Sequence, residues 1–359
     1  MNREFLMLAH TYKPDKYIVS GWYTSEKLDG SRCFWDGGLT RGLATCDVPW
    51  ANITDPKTGN PKAKIAPVST GLWSRYGNPI VAPAWFLNQL PCMFLDGELW
   101  AGRGNFQLCR SIISTDVPGE GWAKIEFPVF GSPTPENFAM TGRIKNANMR
   151  KMMSSDQILR FLAIRDRELG GGFRRVPDGS TFESELMLLK SSIPDGPAYL
   201  HCQKKLPMRK AAEAIEAELA RILALGGEGI VVRNPASIWE PRRLRTLLKY
   251  KPFKDDEGTL VGFTAGRETD KGSKNLGKIG ALILDYNGKR LELSGMTDEE
   301  RDLADKDQFY ATTHPGRDMP AGCHAKHFRV GDTVTFRYRE LSKDGIPKEA
   351  RYWRKRTEE

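Results

Sequence analysis

Short apolar segments recur along the first 253 residues and predict strands, because they are rich in β-branched and aromatic residues and are bounded by turn residues. These segments are residues 32–36, 94–100, 122–130, 228–233 and 247–253. Two stretches have a helical pattern instead. One covers about 154–168 and begins at Ser154 and Ser155, and the other covers about 208–225 and ends at Gly226 and Gly227. Strands and helices are therefore both expected here.

The pattern changes after Phe253. Residues 254–258 (KDDEG) indicate a charged linker, and short strands with turns follow. Two apolar segments flank Asn287-Gly288, which predicts a β-hairpin over 279–293. Residues 330–338 alternate as a half-buried strand does. A small all-β module of this kind fits an OB-type barrel, which commonly binds nucleic acid. The predicted domains are residues 1–253 and 254–359.

Composition indicates a soluble protein with a polyanionic partner. The chain has 359 residues and a formal net charge of +9, which favours nucleic acid first and an anionic membrane surface second. The six cysteines are scattered without a Cys-x-x-Cys pair, which argues against a zinc site and a disulfide framework. The N-terminal residues lack the apolar run of a signal peptide, and no segment is long enough to span a membrane. A cytoplasmic location is expected.

The strongest candidate for a catalytic motif is residues 25–32, with the sequence SEKLDGSR. Lys27 is a candidate nucleophile, but its amine is protonated at neutral pH and needs a lowered pKa to attack. A cation such as Arg32 would lower that pKa, and Gly30 would let a ligand come close to the backbone. The same letters also fit the end of a strand and an Asp-Gly hairpin turn. The motif needs partners elsewhere in the chain.

Candidate partners occur further along. Asp96 and Glu98 alternate on a predicted strand and so point to one face, where two carboxylates are costly unless they bind a metal, a hydroxyl or a cation. Glu228 introduces the strand that follows the second helix, and Lys249 and Lys251 share one strand face. Each of these alone is also compatible with a purely structural role. A lone basic residue, Arg41, fits a solvated turn equally well.

Together, these motifs resemble those of the nucleotidyltransferase superfamily, which comprises ATP-dependent DNA ligases, RNA ligases and mRNA capping enzymes. The chain is most similar to the compact ATP-dependent DNA ligases of bacteria and their viruses. The motifs that carry the resemblance, in order, are Lys27-x-Asp-Gly-x-Arg32, Asp96-Gly-Glu98, Phe127-x-x-Phe130, Glu228-Gly-x-Val231 and Lys249-x-Lys251, followed by the OB-like tail with Tyr338-x-Glu-Leu-x-x-Asp-Gly345. The resemblance implies an α+β fold, in which an adenylation domain of antiparallel sheets with flanking helices precedes a small all-β OB-fold barrel.

The resemblance also implies a mechanism. Lys27 would attack the α-phosphate of ATP to form a lysyl-AMP, the AMP would pass to the 5′-phosphate of a nick in duplex DNA, and the 3′-hydroxyl would displace it. Magnesium is expected as a cofactor, with manganese as a substitute. The partner implied is nicked double-stranded DNA, the protein would be a monomer without a membrane partner, and replication, repair and recombination are the processes open to it.

Roles for single residues follow from the same resemblance. The ATP and AMP pocket would comprise Glu26, Lys27, Arg32, Glu98, Phe127, Lys249 and Lys251, with Phe127 stacked on the adenine and Arg32 and Glu98 on the ribose. The metal would bind Glu228 and Glu98. DNA would contact Arg32 and Arg41, and the basic loop residues Lys271 and Lys274 of the C-terminal module independently favour a contact with nucleic acid. The OB domain would swing about a hinge at Asp255.

The chain departs from the family pattern at three places. Gly131 stands where an Asp usually follows the phenylalanine. Residues 46–72 look longer than in the smallest relatives, and the Pro- and Gly-rich stretch 46–83 is expected to form surface loops. Residues 346–354 match the usual C-terminal pattern only loosely.

Two other functions stay open on the sequence. An RNA ligase or capping-type enzyme would share the lysine chemistry and differ in contacts to the 2′-hydroxyl. A non-catalytic OB-bearing DNA-binding protein would need a decayed transferase domain, against which the intact lysines and glutamates argue. An NAD-dependent ligase is disfavoured, because no nicotinamide-binding extension precedes Lys27 and no four-cysteine zinc module is present.

Overall fold

The computed structural model describes residues 6–53, 62, 66–140, 153–268, 272–342 and 344–356. The chain divides into two compact units at the bond between Tyr250 and Lys251, three residues before the boundary expected from the sequence.

The first unit combines ten strands and six helices in its described residues. The strands are β1 (Leu8–Thr11), β2 (Tyr23–Glu26), β3 (Ser31–Asp36), β4 (Leu72–Ser74), β5 (Phe94–Leu99), β6 (Phe127–Gly131), β7 (Ala198–Leu200), β8 (Lys204–Lys205), β9 (Ile230–Arg233) and β10 (Arg243–Tyr250). The helices are α1 (Ala84–Leu87), α2 (Phe106–Ile113), α3 (Pro135–Ala139), α4 (Ser155–Glu168), α5 (Phe182–Ser192) and α6 (Ala211–Ala224), with short 3-10 turns at Thr45–Asp47 and Glu120–Lys124.

Local chemistry sets the ends of the two helices predicted from the sequence, α4 and α6. The Ser154 hydroxyl accepts from the backbone N–H of Gln157, whose side chain in turn accepts from the backbone of Ser154, so a capping box begins α4. Gly226, with φ of 77°, follows the end of α6. Both helix predictions are confirmed.

Two five-stranded sheets form the centre of the first unit. The first sheet has the order β1-β10-β9-β2-β8, and the second has the order β4-β3-β5-β6-β7. Neighbouring strands are antiparallel except for β1 with β10 and β6 with β7. The mostly antiparallel sheets with helices beside them confirm the predicted α+β class.

The two sheets pack face to face. Phe34 and Phe94 of the second sheet share a buried cluster with Leu244 and Leu247 of the first. On the outer face of the first sheet, α6 packs against β9 and β10. Helix α2 and the turn at Trp122 cover the outer face of the second sheet. Each sheet therefore has one face toward the other sheet and one toward helices.

The stretch 46–83 is not simply surface, as the sequence analysis expected. Val48, Trp50 and Ala51 are buried in the cluster between the sheets, and the Trp50 ring meets that of Trp73 edge to face at 6.1 Å between centroids. Aromatic burial of this size stabilises the domain, so the first part of the stretch belongs to the core. Residues 54–61 and 63–65 lie outside the described part of the chain.

The second unit is built on one antiparallel sheet with the order β13-β12-β11-β14-β17. Its elements are β11 (Lys254–Ala265), β12 (Ile279–Tyr286), β13 (Lys289–Leu293), helix α7 (Asp305–Thr313), β14 (Thr333–Tyr338), β15 (Glu340–Leu341), β16 (Pro347–Lys348) and β17 (Arg351–Lys355). A bridge between Ser294 and Arg351 links the ends of the two edge strands. Helix α7, absent from the all-β expectation, buries Ala311 in the core of this unit.

The hairpin predicted around Asn287-Gly288 is confirmed. Both turn residues have positive φ, 53° and 74°, as a two-residue hairpin turn requires. The predicted linker over 254–258 is wrong, since β11 already begins at Lys254 and Asp255 is paired with Arg337 of β14. Among the described residues, no helix has the length and apolar character needed to cross a membrane.

Candidate active site

Lys27 lies at the end of β2, where the first sheet meets the start of β9. Its backbone N–H donates to the carbonyl of Gly229 at 2.8 Å, which extends the ladder between these strands by one residue. The Lys27 ammonium contacts the Glu228 carboxylate directly, and the two side chains are 26% and 21% exposed. The nucleophile predicted from the sequence and the carboxylate predicted as a metal ligand therefore form an accessible ion pair.

Lys249 lies on the same sheet face as Lys27. Val231 of β9 is paired with Ser25 of β2 on one side and with Lys249 of β10 on the other. Directly paired residues project to the same face, and so do residues two apart along a strand. Lys27, two residues after Ser25, thus shares this face with Lys249. Lys251 follows β10 and belongs to the second unit.

Arg32 is held by Asp96 of the neighbouring strand. Its Nε and Nη2 each donate to one carboxylate oxygen of Asp96 at 2.6 Å, which is the bidentate geometry that suits arginine and carboxylate. The buried indole of Trp239 donates to Asp96 Oδ2 at 2.8 Å. Arg32 and Glu98 are paired residues of β3 and β5. The predicted Arg32 and Glu98 are thus brought together on one face.

Glu98 is half-buried in the second sheet. Burial raises its pKa to about 7, while the charges of Lys27 and Arg32 act in the opposite direction. The influence of Lys27 on this carboxyl connects the two sheets electrostatically. The charges of Lys27 from the first sheet and Arg32 from the second therefore both act on Glu98.

Phe127 is not at the site, and this corrects the sequence prediction. Its ring is fully buried in the core on the outer face of the second sheet, so it has no face to offer a purine. The ladder between β5 and β6 shifts register between Asp96 and Gly97, pairing Asp96 with Gly131 and Gly97 with Val129. This bulge leaves Phe130 as the extra residue. The half-buried Phe130 ring lies 4.6 Å from the Arg32 guanidinium.

Glu26 is fixed from two sides. Arg103 donates to both of its carboxylate oxygens, at 2.7 and 2.6 Å. His201 Nε2 lies 2.8 Å from the carbonyl oxygen of Glu26, and since a carbonyl only accepts, this nitrogen carries the proton. Burial lowers the pKa of His201, which favours the neutral ring. The residue before the nucleophile is therefore held through both its side chain and its backbone.

The absence of a side chain at Gly131 leaves room for a buried ion pair. A Cβ at this position would lie 3.2 Å from Nη1 of Arg233 and 3.7 Å from Oε2 of Glu185. Arg233 comes from β9 and Glu185 from α5, and their side chains are 6% and 1% exposed. Position 131 lacks the carboxylate that the family pattern usually has there, and Glu185 supplies a carboxylate close to that position.

The other predicted residues lie elsewhere. Arg41 donates to the Asn88 side chain at 2.7 Å, beyond the far end of β3 from Arg32. Lys274 pairs with Asp298 at 2.5 Å in the second unit, and Lys271 lies outside the described residues. Asp255 is inside β11. Across the described ranges, no three His, Cys, Asp or Glu side chains are grouped to hold a metal ion.

Sequence reasoning missed Arg103, Glu185, His201, Arg233 and Trp239. Arg103 had one local signal in the sequence, because it stands between Gly102 and Gly104 in a Gly-rich loop. The others lie in elements far along the chain from the residues they contact, so no local pattern marks them.

The chain is similar to DNA ligases over nearly its whole length. Residues 271–356 match the family model described as a DNA ligase OB-like domain. A DNA ligase of Haemophilus influenzae is 25% identical over 354 residues, which cover 98% of this chain and 92% of the relative.

Solved structures agree with this similarity. One, described as "DNA binding with a minimal scaffold: Structure-function analysis of Lig E DNA ligases", has a TM-score of 0.61 and 25% identity, with 98% of each chain covered. A second, Pmar-Lig_PreS3, has a TM-score of 0.53 and 16% identity, with 98% of this chain and 68% of the other covered. The latter supports the fold alone.

Proposed function

We propose that this chain, which is similar to DNA ligases in sequence and in fold, uses ATP to seal nicks between a 5′-phosphate and a 3′-hydroxyl in duplex DNA through a covalent lysyl-AMP on Lys27. The observation that carries the proposal is the accessible contact between the Lys27 ammonium and the Glu228 carboxylate, on a sheet face shared with Lys249. An amine paired with a carboxylate, beside further cations, suits attack on a polyanionic phosphate.

The first step converts the ammonium into a nucleophile. Lys27 Nζ gives a proton to the Glu228 carboxylate, and its lone pair then attacks the α-phosphorus of ATP. The N–P bond forms as the bond from the α-phosphorus to the bridging oxygen of the leaving pyrophosphate breaks, and the nitrogen then releases its second proton to solvent. Lys249 and Lys251 would neutralise charge on the α-phosphate. Such transfers depend mainly on positioning and charge stabilisation.

The AMP then moves onto DNA. An oxygen of the 5′-phosphate at the nick attacks the phosphorus of the lysyl-AMP, the N–P bond breaks, and the Lys27 amine is restored. In the last step, the 3′-hydroxyl loses its proton and attacks the adenylated 5′-phosphate, and AMP leaves. The products are a phosphodiester bond and AMP.

The nucleotide would be held by side chains from both sheets. Phe130 offers a half-buried aromatic ring for the adenine, a role we transfer to it from Phe127 because Phe127 is fully buried. Glu98 has the accessibility to accept from ribose hydroxyls, with Arg32 beside it. Glu26, braced by Arg103, would line the pocket next to Lys27.

The carboxylates of the site would give magnesium few protein ligands. Since no three-ligand cluster is present among the described residues, Glu98 and Glu228 would supply single ligands, and Glu228 would use the oxygen other than Oε2, which contacts Lys27. Such a site suits Mg²⁺, which keeps several waters and binds nucleotide phosphates, and Mn²⁺ would substitute for it. When bound, the ion neutralises charge on the phosphates.

The partner we propose is nicked DNA, bound by a monomer in the cytoplasm, where the six free thiols would stay reduced. Arg32, Arg41, Lys271 and Lys274 remain the proposed DNA contacts. A swing of the OB domain would need a hinge within 251–253, which lie between β10 and β11, because Asp255 is committed to the β11–β14 ladder.

The decisive experiment is sealing of a nicked DNA duplex with ATP and magnesium, beside an RNA nick and reactions with NAD or GTP. We expect DNA sealing with ATP only. Joining of RNA alone, or a labelled adenylate that never yields a DNA product, would replace this proposal with an RNA ligase or capping-type activity.

A further inference from the structure

We propose that the buried pair of Glu185 and Arg233 positions Arg32 in the active site, by keeping Asp96 available as the partner of Arg32. The inference rests on the proposed function, since it assigns positioning residues for the nucleotide site. It assigns a role to helix α5, which brings Glu185 to the inner side of the second sheet without reaching the site itself.

The pair is enclosed, and Arg233 is held by three neighbours. Arg233 Nη2 donates to Glu185 Oε2 at 3.4 Å, its Nε donates to the Ser237 hydroxyl at 3.2 Å, and its guanidinium lies 3.9 Å from the centroid of the Phe182 ring. Burial lowers the pKa of Arg233 and raises that of Glu185 to about 7. Buried pairs of this kind contribute little net stability, so stability alone is a weak reason for their presence.

Two contacts connect the pair to Arg32. Arg233 Nη1 donates to the carbonyl oxygen of Phe130 at 3.4 Å, and the ring of the same residue lies against the Arg32 guanidinium. Arg233 is also close enough to Asp96 to feel its charge, as well as that of Arg32. The orientation of Phe130 and the charge balance around Asp96 therefore both depend on Arg233.

At a pH above the raised pKa of Glu185, about 7, the charges in this cluster balance as two cations and two anions. Arg32 and Arg233 are the cations, and Asp96 and Glu185 are the anions. If Glu185 loses its charge, Asp96 is left as the anion between two guanidinium groups, and Arg233 then competes with Arg32 for it. The consequence is a looser Arg32, although no residue that touches the nucleotide has been substituted.

A substitution at Gly131 can restore the negative charge that Glu185→Gln removes from beside Arg233. Gly131 does not have a positive φ, so the backbone at this position accepts a side chain without strain. A Cβ would lie 3.2 Å from Nη1 of Arg233, so the guanidinium must shift by a few tenths of an ångström to admit it. An aspartate at 131 would place a carboxylate beside Arg233 without Glu185. Glu185→Gln and the double variant Gly131→Asp/Glu185→Gln thus separate the charge from the residue that carries it.

The test uses the full-length protein in four forms: wild type, Glu185→Gln, the double variant, and Glu183→Gln as the matched control. Glu183 lies on the same helix but pairs at the surface with Lys205. Adenylation is measured by single-turnover kinetics against ATP concentration. We expect Glu185→Gln to raise the KM for ATP roughly tenfold, the double variant to recover most of that change, and Glu183→Gln to match wild type.

A second readout does not depend on catalysis. The Nε–Hε NMR signal of Arg32, assigned by its loss in Arg32→Lys, reports the hydrogen bond to Asp96. We expect this signal to shift in Glu185→Gln and to return in the double variant. If wild type forms no adenylate, the proposed function fails while this signal still tests the positioning role.

The inference is overturned if Glu185→Gln lowers only the thermal midpoint and leaves both the KM and the Arg32 signal unchanged. Failure of the double variant to recover either would also overturn it. Should Glu185→Gln not fold, Glu185→Asp tests the same dependence, because the shorter side chain keeps the charge and draws the carboxylate back from Arg233. An unchanged Arg32 signal in that variant would count against the proposal.

Discussion

Lys27 and Glu228 meet at the ends of two neighbouring antiparallel strands, with ammonium and carboxylate in direct contact. The ladder between β2 and β9 fixes this meeting, since the backbone N–H of Lys27 donates to the carbonyl of Gly229. The pair is about three-quarters buried but accessible, so a ligand can displace the carboxylate or use it. The first predictions concern these two side chains.

Replacing Lys27 with alanine should abolish the covalent adenylate and leave DNA binding largely intact. The reason is that the amine is the atom that bonds to phosphorus, whereas binding to the duplex depends on many cations. Intact-protein mass spectrometry after incubation with ATP and magnesium, together with a gel-shift assay on nicked DNA, measures both. A retained adenylate in Lys27→Ala would move the nucleophile to another residue.

Glu228→Gln should slow adenylation by about a hundredfold, because it removes the group that accepts the lysine proton. The variant keeps the shape of the side chain, so a similar thermal midpoint is expected. Single-turnover formation of the adenylate at several pH values measures the effect. Glu240→Gln, which removes an exposed pair with Arg242, is the control, and equal rates in the two variants would exclude the proposed proton transfer.

The two phenylalanines of β6 should separate binding from stability. Phe130→Ala should raise the KM for ATP about tenfold, since stacking of a base on an aromatic ring contributes about 1–3 kcal/mol. Phe127→Ala should instead lower the free energy of unfolding by about 3–5 kcal/mol through the cavity it leaves. Denaturant unfolding and ATP titration measure both quantities. The opposite assignment of effects would return the stacking role to Phe127.

Asp36 should make stability depend on pH. It is fully buried, accepts from the Trp73 indole at 2.9 Å and from the Thr40 hydroxyl, and burial raises its pKa from 3.8 to about 6. The folded state therefore holds this proton more tightly than the unfolded state does, and stability falls as pH rises from about 4 to about 6, by about 3 kcal/mol in total.

Asp36→Asn should remove this contribution. We expect the difference in unfolding free energy between wild type and Asp36→Asn to shift in favour of the variant as pH rises through that window. Urea unfolding at several pH values from 4 to 8 measures it, and the comparison cancels the other titrating groups. A difference that does not vary with pH would show that burial leaves the Asp36 carboxyl unperturbed.

Local chemistry explains which parts of the fold could be predicted. The Ser154 cap and the Asn287-Gly288 turn satisfy backbone groups within a few residues, so their signatures are visible in a short window. The charged segment at 254–258 was misleading, because a run of acidic residues can also lie on an exposed strand. Asp255 does so, paired with Arg337.

In the candidate site, the proximity of the charged residues was predictable and the position of the aromatic one was not. Sheet register places Arg32 opposite Glu98, and Lys27 contacts Glu228. Phe127 and Phe130 lie on the same strand, and the bulge opposite Asp96 decides which of them faces the site. A one-residue shift in register moves a side chain to the other face of the sheet. No sequence window contains both sides of that ladder.

The pairing of β2 with β9 has a consequence for biosynthesis. The nucleophile and its carboxylate partner are 201 residues apart in the chain. While the ribosome makes the protein, Lys27 emerges early and its strand has no partner on that side until β9 follows. Contacts this distant in sequence form slowly, and until then β2 presents an open edge that invites pairing with other chains. A chain released before Arg233 would carry the reactive lysine without the strand that completes its pocket. The catalytic centre therefore assembles only in chains that have been synthesised through β9.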